Sequence, residues 1–256
     1  MIHSTAVISD KATLGKNVTV GPFCVVDDDV VIGDNCVLKS HVVVRGPTTI
    51  GKNNVFYQFS SIGEDCQDKK YAGERTELSI GDDNVFREGV TVHRGTIQDE
   101  SITIIGSRNL LMVNAHVAHD CVLGDDIILA NNTAVAGHVH IDNFAIVGGA
   151  VGIHQFCKVG AHAFLGAGGI ILRDVPPFVM VSGHKHIPQG INSEGLRRRG
   201  FDKDTIMAIK RAYRVIYREG NTIDEAVEKL NSAASEHHDV ATLVEFLKHA
   251  ERGIIR

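Results

Sequence analysis

One period constrains this chain more than any other feature: a large apolar residue returns at every sixth position. The series opens with Ile2, Ile8, Leu14, Val20, Val26, Ile32, Leu38, Val44, Ile50, Phe56 and Ile62. It breaks after Gln67, resumes in phase at Ile80, Phe86 and Val92, and breaks again around Thr96 to Ile104. A last run, shifted by one place, starts at Ile105, Leu111, Val117, Leu123, Leu129 and Val135. It continues through Ile141, Val147, Ile153, Val159 and Leu165 to Ile171. Four places after these positions stand small or slender residues, among them Ala6, Ala12, Val18, Cys24, Cys36, Ala115, Cys121, Thr133, Ala145 and Cys157. A period of six suits neither an amphipathic helix nor simple strand alternation. It suits a triangular coil, in which each hexad makes one short strand with its first residue pointing inward and a small residue near the corner. Three hexads close a turn of about 18 residues, and turns stack at roughly 4.8 Å. The expected fold is therefore mainly β, a parallel β-helix of 26 hexads in about nine turns.

The two interruptions do not wind into such a prism and are expected as loops near 68–77 and 97–104. Pro176 and Pro177 remove ladder donors and are expected to end the solenoid, giving a β-helix over 1–177. A linker over 178–200 would lead to a helical unit over 201–256. There the apolar period becomes helical at Ile206, Ile209, Tyr213, Ile216 and Tyr217, closed by Gly220. Thr222 and Glu225 form a capping box opening a second helix, and 239–252 reads as a third. Such a cap would cover unpaired strand edges at one end. Cys24, Cys36, Cys66, Cys121 and Cys157 fall at the small interior position and read as buried apolar residues. The net charge of −5 argues against a nucleic-acid binder. No run reaches the roughly 20 apolar residues of a membrane span, and the first residues lack a signal-peptide pattern, so a cytoplasmic location is expected.

Histidine carries the chemical signal. None of the nine histidines before Pro176 falls at an inward position, so all are expected outward or at turns. His119 and Gly137 share a place in successive coils, with His138 and His154 beside them and His116 just upstream. Two chemistries fit such a cluster. One is a metal site of the kind used by gamma-class carbonic anhydrases. The other is a single general base with substrate-binding neighbours, which His119-Asp120 favours because a carboxylate orients an imidazole. Arg197, Arg198, Arg199, Lys203, Lys210, Arg211, Arg214 and Arg218 make a basic stretch, either an ordinary solvated face or a surface for phosphate or an acidic partner.

Longer motifs extend the reading: GPFCVV (21–26), YQFSSIGE (57–64), QDKKYAGE (67–74), TVHRGT (91–96), NLLMVNAHVAHDC (109–121), GIHQFCKVGAH (152–162), DVPPFV (174–179) and INSEGLRRRGF (191–201). In these, over its whole length, the chain resembles the UDP-N-acetylglucosamine O-acyltransferases, hexapeptide-repeat enzymes that open lipid A biosynthesis. The resemblance implies a left-handed helix, a homotrimer and active sites between neighbouring prisms. It implies transfer of a (3R)-3-hydroxyacyl group from acyl carrier protein to the glucosamine 3-hydroxyl of UDP-N-acetylglucosamine. The donor is then a phosphopantetheine thioester, and no cofactor or metal is called for. By matching motif, His119 is the base, Asp120 its orienting partner, and the Gly137 N–H the oxyanion donor. Asp68, Lys70, His116, His138, His154 and Gln155 contact substrate in the cleft. Asn192, Glu194, Arg198 and Arg199 hold the uridine and phosphates, and Ala167 marks the acyl-chain end.

One departure stands out: Ser182-Gly-His-Lys-His-Ile-Pro188 differs from the family's pattern, with Lys185 in place of His. A 3-amino sugar acceptor, as in some relatives, stays open, as does the metal-dependent reading. The related N-acyltransferases carry a domain ahead of their repeats, whereas repeats here begin at Ile2.

Overall fold

The computed structural model describes residues 1–182 and 186–256, so the Lys185 departure lies outside the described residues. The fold is a left-handed parallel β-helix followed by helices. Among the described residues its three faces are sheets of nine, eight and ten strands. Face 1 contains Val7–Ile8, face 2 Thr13–Leu14 and face 3 Thr19–Val20, and each recurs one coil later. Val7 pairs with Val25 and Ile8 with Val26, so one coil takes three hexads, as the period requires. Every second strand residue points inward and stacks on its equivalent above and below. Val20, Leu38, Phe56, Phe86 and Leu111 form one such buried column. At most corners one residue takes φ near +60°, as Asn17, Phe23, Asp29, Asn35 and His41 do at six-residue steps. That conformation bends the chain tightly enough to start the next face.

The five cysteines are free and buried. The interior also holds a polar column that the apolar period does not reveal. Asn54, Asn84 and Asn109 are fully buried on successive coils. Asn54 Oδ1 accepts from Asn84 N at 2.9 Å, and Asn84 Oδ1 from Asn109 N at 2.8 Å. Their amide groups donate onward to the carbonyls of Gly81, Gly106 and Gly124. Buried amides satisfied in this way stand in for the slender residues elsewhere at that place.

Pro176 and Pro177 do not end the sheets. On the preceding coil, Gly160 N bonds forward to Val175 O, and Ala161 N makes no backbone bond among the described residues. The two prolines occupy the equivalent places on the last coil, where no donor is required. Strand pairing then continues through Val179–Ser182, parallel to Phe164–Leu165, and an antiparallel Ile187–Ile191. Part of the expected linker is therefore sheet, and the rest holds a short helix, α1 (Ser193–Arg198). Beyond it lie α2 (Lys203–Tyr217), α3 (Ile223–Glu236) and α4 (His238–Lys248). The capping box of Thr222 and Glu225 opens α3. The third expected helix stops at Lys248, because the chain turns back there and Ile255 N donates to Asp174 O at 2.9 Å. Helix α2 packs on Ile187–Ile191.

Two of the histidines expected outward or at turns hold such places but are buried there, His162 at a corner and His93 beside His116. His93 is 4% exposed and His162 9%. His162 stacks between Phe144 (4.8 Å) and Phe178 (5.7 Å), with Phe201 edge-on at 5.0 Å. Burial pushes both imidazoles down to about 4, from 6.5. Between those values the unfolded chain binds protons that the folded protein refuses, so stability is lost as pH falls from 6.5 towards 4. His162→Phe keeps the stack and removes one of the two groups. Its urea midpoint is expected to fall less than that of the unmodified protein between pH 7 and pH 4.5; equal losses would contradict this account.

Candidate functional site

Both insertions leave the prism from the same edge, between faces 1 and 2. Ser61 pairs with Thr91, two hexads further along the chain than a regular coil would place its partner. Thr91 in turn pairs with His116, further along by one hexad and one extra residue. The first excess is a whole number of hexads and keeps the phase; the second shifts it by one. The loops run over 65–76 and 94–101. Both close earlier than the sequence suggested, because strands Glu77–Ile80 and Ile102–Ile105 already pair, burying Leu78 and Thr103.

Arg94 joins the two loops. Its side chain is 7% exposed and donates to Gly63 O, to the Asp65 carboxylate and, at 3.3 Å, to the Tyr71 hydroxyl. The first loop thereby carries Asp68 and Lys70 to one rim of a cavity. Two residues beyond Arg94, Thr96 reaches the next coil. Its N–H donates to Asp120 Oδ1 at 2.8 Å and its hydroxyl to Oδ2 at 2.6 Å. Asp120 is 2% exposed and its own N–H bonds to Thr103 Oγ1 at 2.8 Å. Burial works against its charge, but the bonds from His119 and Thr96 outweigh it and hold the carboxyl below its usual range.

His119 Nδ1 lies 2.8 Å from Asp120 Oδ2. An ionised carboxylate only accepts, so Nδ1 carries the proton and Nε2 is left with its lone pair. The ring lies against Gly137, where a Cβ would come within 2.6 Å of Nε2. Only glycine leaves that space. The Gly137 N–H donates to no acceptor among the described residues. His138, one coil beyond Asp120, stacks on Phe156 at 4.3 Å and meets His119 edge-on at 4.9 Å. Its Nδ1 is 2.6 Å from Asp99 Oδ2 in the second loop.

His119 stands between two cavities. One, of about 510 Å³, is polar and is lined by Asp68, Lys70, Asp99, His138, Gln155 and Lys158. The other, of about 550 Å³, runs up face 1 past Gly137, Ala134, Ala136, Gly152, Ile153 and Ile170. His116, His154 and Gln155 also line it, so these predicted residues gather with His119. Ala167 does not line it; it is exposed in the turn before Ile170. His93 is a site residue that sequence reasoning missed. It lines the second cavity, edge-on to His116 at 4.8 Å, and lies on the coil before Ala118. The shift of phase in the second loop hides that alignment. Thr96 and Arg94 were missed as well, since loop residues carry no register.

Asn192, Glu194, Arg198 and Arg199 are not brought to His119 within the chain. They sit at a different edge, between faces 2 and 3. Asn192 caps α1 and donates to His162 O at 3.1 Å, and the Arg199 guanidinium lies 4.3 Å over the Phe144 ring. Glu194 pairs with Arg197 and Arg198. As for a metal, one ligand atom from each of His119, Asp120 and His138 lies within 4.8 Å of the others.

Comparison with known proteins is consistent along the whole chain. A family profile described as UDP N-acetylglucosamine O-acyltransferase, domain 2, matches residues 174–255, and the bacterial transferase hexapeptide profile matches residues 11–46. LpxA of Acinetobacter baumannii is 48% identical, with a TM-score of 0.97 over 100% of this chain and 99% of that one. The UDP-N-acetylglucosamine acyltransferase of Francisella novicida is 43% identical, with a TM-score of 0.98 over 100% and 94%. The UDP-N-acetylglucosamine O-acyltransferase of Moraxella catarrhalis is 45% identical, with a TM-score of 0.97 over 100% and 99%.

Thr96→Val removes one of the donors that keep Asp120 ionised. The Asp120 carboxyl is expected to titrate at higher pH in the variant, read from its side-chain carbon resonance. An unmoved titration would mean that the second loop does not set this carboxylate.

Proposed function

Since this chain belongs to the UDP-N-acetylglucosamine O-acyltransferase family, we propose that it transfers a (3R)-3-hydroxyacyl group from acyl carrier protein to the 3-hydroxyl of UDP-N-acetylglucosamine, with His119 as the base. The observation that carries this reading is the His119 ring. It is tied at Nδ1 to Asp120, bare at Nε2, and set beside a free Gly137 N–H.

A sugar hydroxyl attacks a thioester only as its proton is removed. Nε2 of His119 takes that proton while the sugar oxygen bonds to the acyl carbon, and Asp120 stabilises the imidazolium. The electron pair of the carbonyl moves to oxygen, where the Gly137 N–H meets it; one such donor is worth about 3 kcal/mol. Collapse expels the phosphopantetheine thiolate, which recovers the proton from His119. No cofactor takes part. The buried cysteines are poor nucleophiles; Cys121 is pushed up to about 12 by burial.

Asp68, Lys70, His138 and Gln155 would contact the sugar in the polar cavity, with His116 and His154 along the adjoining groove. The acyl chain would lie along that groove and leave it past Ile170, its end near Ala167 in the adjoining turn. The uridine and phosphates would meet Asn192, Glu194, Arg198 and Arg199 from a neighbouring copy. A homotrimer packing face 3 of one copy on face 1 of the next would align those edges. An outward row of half-buried apolar side chains on face 3, from Val37, Val55, Val85, Leu110, Ile128 and Ile146 to Phe164, supports this. A cytoplasmic location fits an acyl-carrier donor, and no helix among the described residues is long and apolar enough to cross a membrane.

The test is acyl transfer from 3-hydroxyacyl carrier protein to UDP-N-acetylglucosamine, in chelator. His119→Ala is expected to lose about 100-fold or more in kcat. Gly137→Ala, by displacing the His119 ring, should cost about 100-fold too. Activity only on a 3-amino sugar would reassign the acceptor, and activity dependent on metal would reassign the chemistry. Ala167→Met is expected to shift preference to shorter acyl donors in a competition assay; an unchanged chain profile would place the chain end elsewhere.

A further inference from the structure

We propose that His119, Asp120 and His138 also form a binding site for one zinc-class divalent ion, and that occupation of this site switches the base off. His119 Nδ1 and His138 Nε2 stand 2.8 Å and 3.9 Å from the same Asp120 oxygen. Ligands of a tetrahedral zinc ion at roughly 2.0–2.2 Å lie about 3.3 Å from one another. These two separations fall on either side of that value and all three ligand atoms lie within 4.8 Å of one another, so closure of the His138 ring towards the other two admits the ion. Two imidazoles and a carboxylate suit zinc, whereas magnesium prefers an octahedron of oxygens.

The contacts behind these ligands point the same way. Asp99 accepts from His138 Nδ1, which fixes the proton there and leaves the Nε2 lone pair on the side of Asp120. A lone pair near a carboxylate is repelled, and a cation between them removes the repulsion. A histidine held through its other nitrogen by a carboxylate is the usual outer support of a zinc ligand. Asp120 is fixed in turn by Thr96 and Thr103. A proton on His138 Nε2 would also relieve the repulsion, and the experiment below separates the two.

The regulatory consequence rests on the reading of His119 as the base. An ion at Nδ1 takes the place of the proton there. The neutral ring then carries its proton on Nε2, the atom that has to be bare to accept one from the sugar. No bond to substrate changes and no redox step is involved; the ring is held in the wrong tautomer.

Zinc chloride titrated by calorimetry into the full chain, stripped beforehand with chelator, tests the site. One zinc per chain is expected, with no heat from magnesium chloride. Asp99→Asn keeps all three ligands and should weaken zinc about tenfold; His138→Gln should weaken it at least as much. Transfer activity should fall with the same midpoint and return on adding chelator. Absence of binding, or an affinity unchanged in His138→Gln, overturns the proposal. Because calorimetry reads binding without turnover, zinc bound by a chain that transfers nothing would sink the functional reading and leave the site standing. Transfer unaffected at full occupancy would sink the switch.

Discussion

The main-chain ladder between coils, locked at three hexads per turn, is the interaction on which everything else here depends. Each strand is only two to four residues long through the helix, far too short to persist alone. It exists because the coils above and below pair with it and stack an identical inward column. Aliphatic stacking supplies most of the driving force, while the corner residues at positive φ set the bend. A side chain anywhere on the surface therefore has a fixed address, defined by face, coil and place in the hexad.

That address system explains how a rigid scaffold builds the His119–Asp120 pair. Asp120 and His138 occupy the bending position on adjacent coils, and His119 and Gly137 the place just before it. The coil spacing alone puts His119 against Gly137. What the scaffold does not supply is shelter. The second loop provides it, since Thr96 closes over Asp120 and completes its hydrogen bonds. A carboxylate that is 2% exposed and still ionised requires that many donors.

The repeat was legible because a period of six leaves few alternatives, and the proximity of His119, Gly137, His138 and His154 followed from counting. Counting failed where the count changed. His93 lies before the second insertion, so its alignment with the site is displaced by one place, and Arg94 and Thr96 lie outside any register. Pro176 and Pro177 misled for a different reason. Their missing donors matter inside a sheet, but on the last coil nothing waits to receive them. The Asn54, Asn84 and Asn109 column was hidden because polar residues at interior places read as interruptions until their partners are seen.

The unequal insertions at the first edge have a consequence of their own. One is a whole number of hexads and the other is not, yet both leave strand pairing on the following coils intact. The prism does not count what leaves it at a corner. Scaffold and chemistry are thereby written at separate locations. The stack can be lengthened coil by coil without touching the loops, and the loops can be rewritten without unsettling the stack. A molecule divided in this way can alter what it recognises and keep the same skeleton.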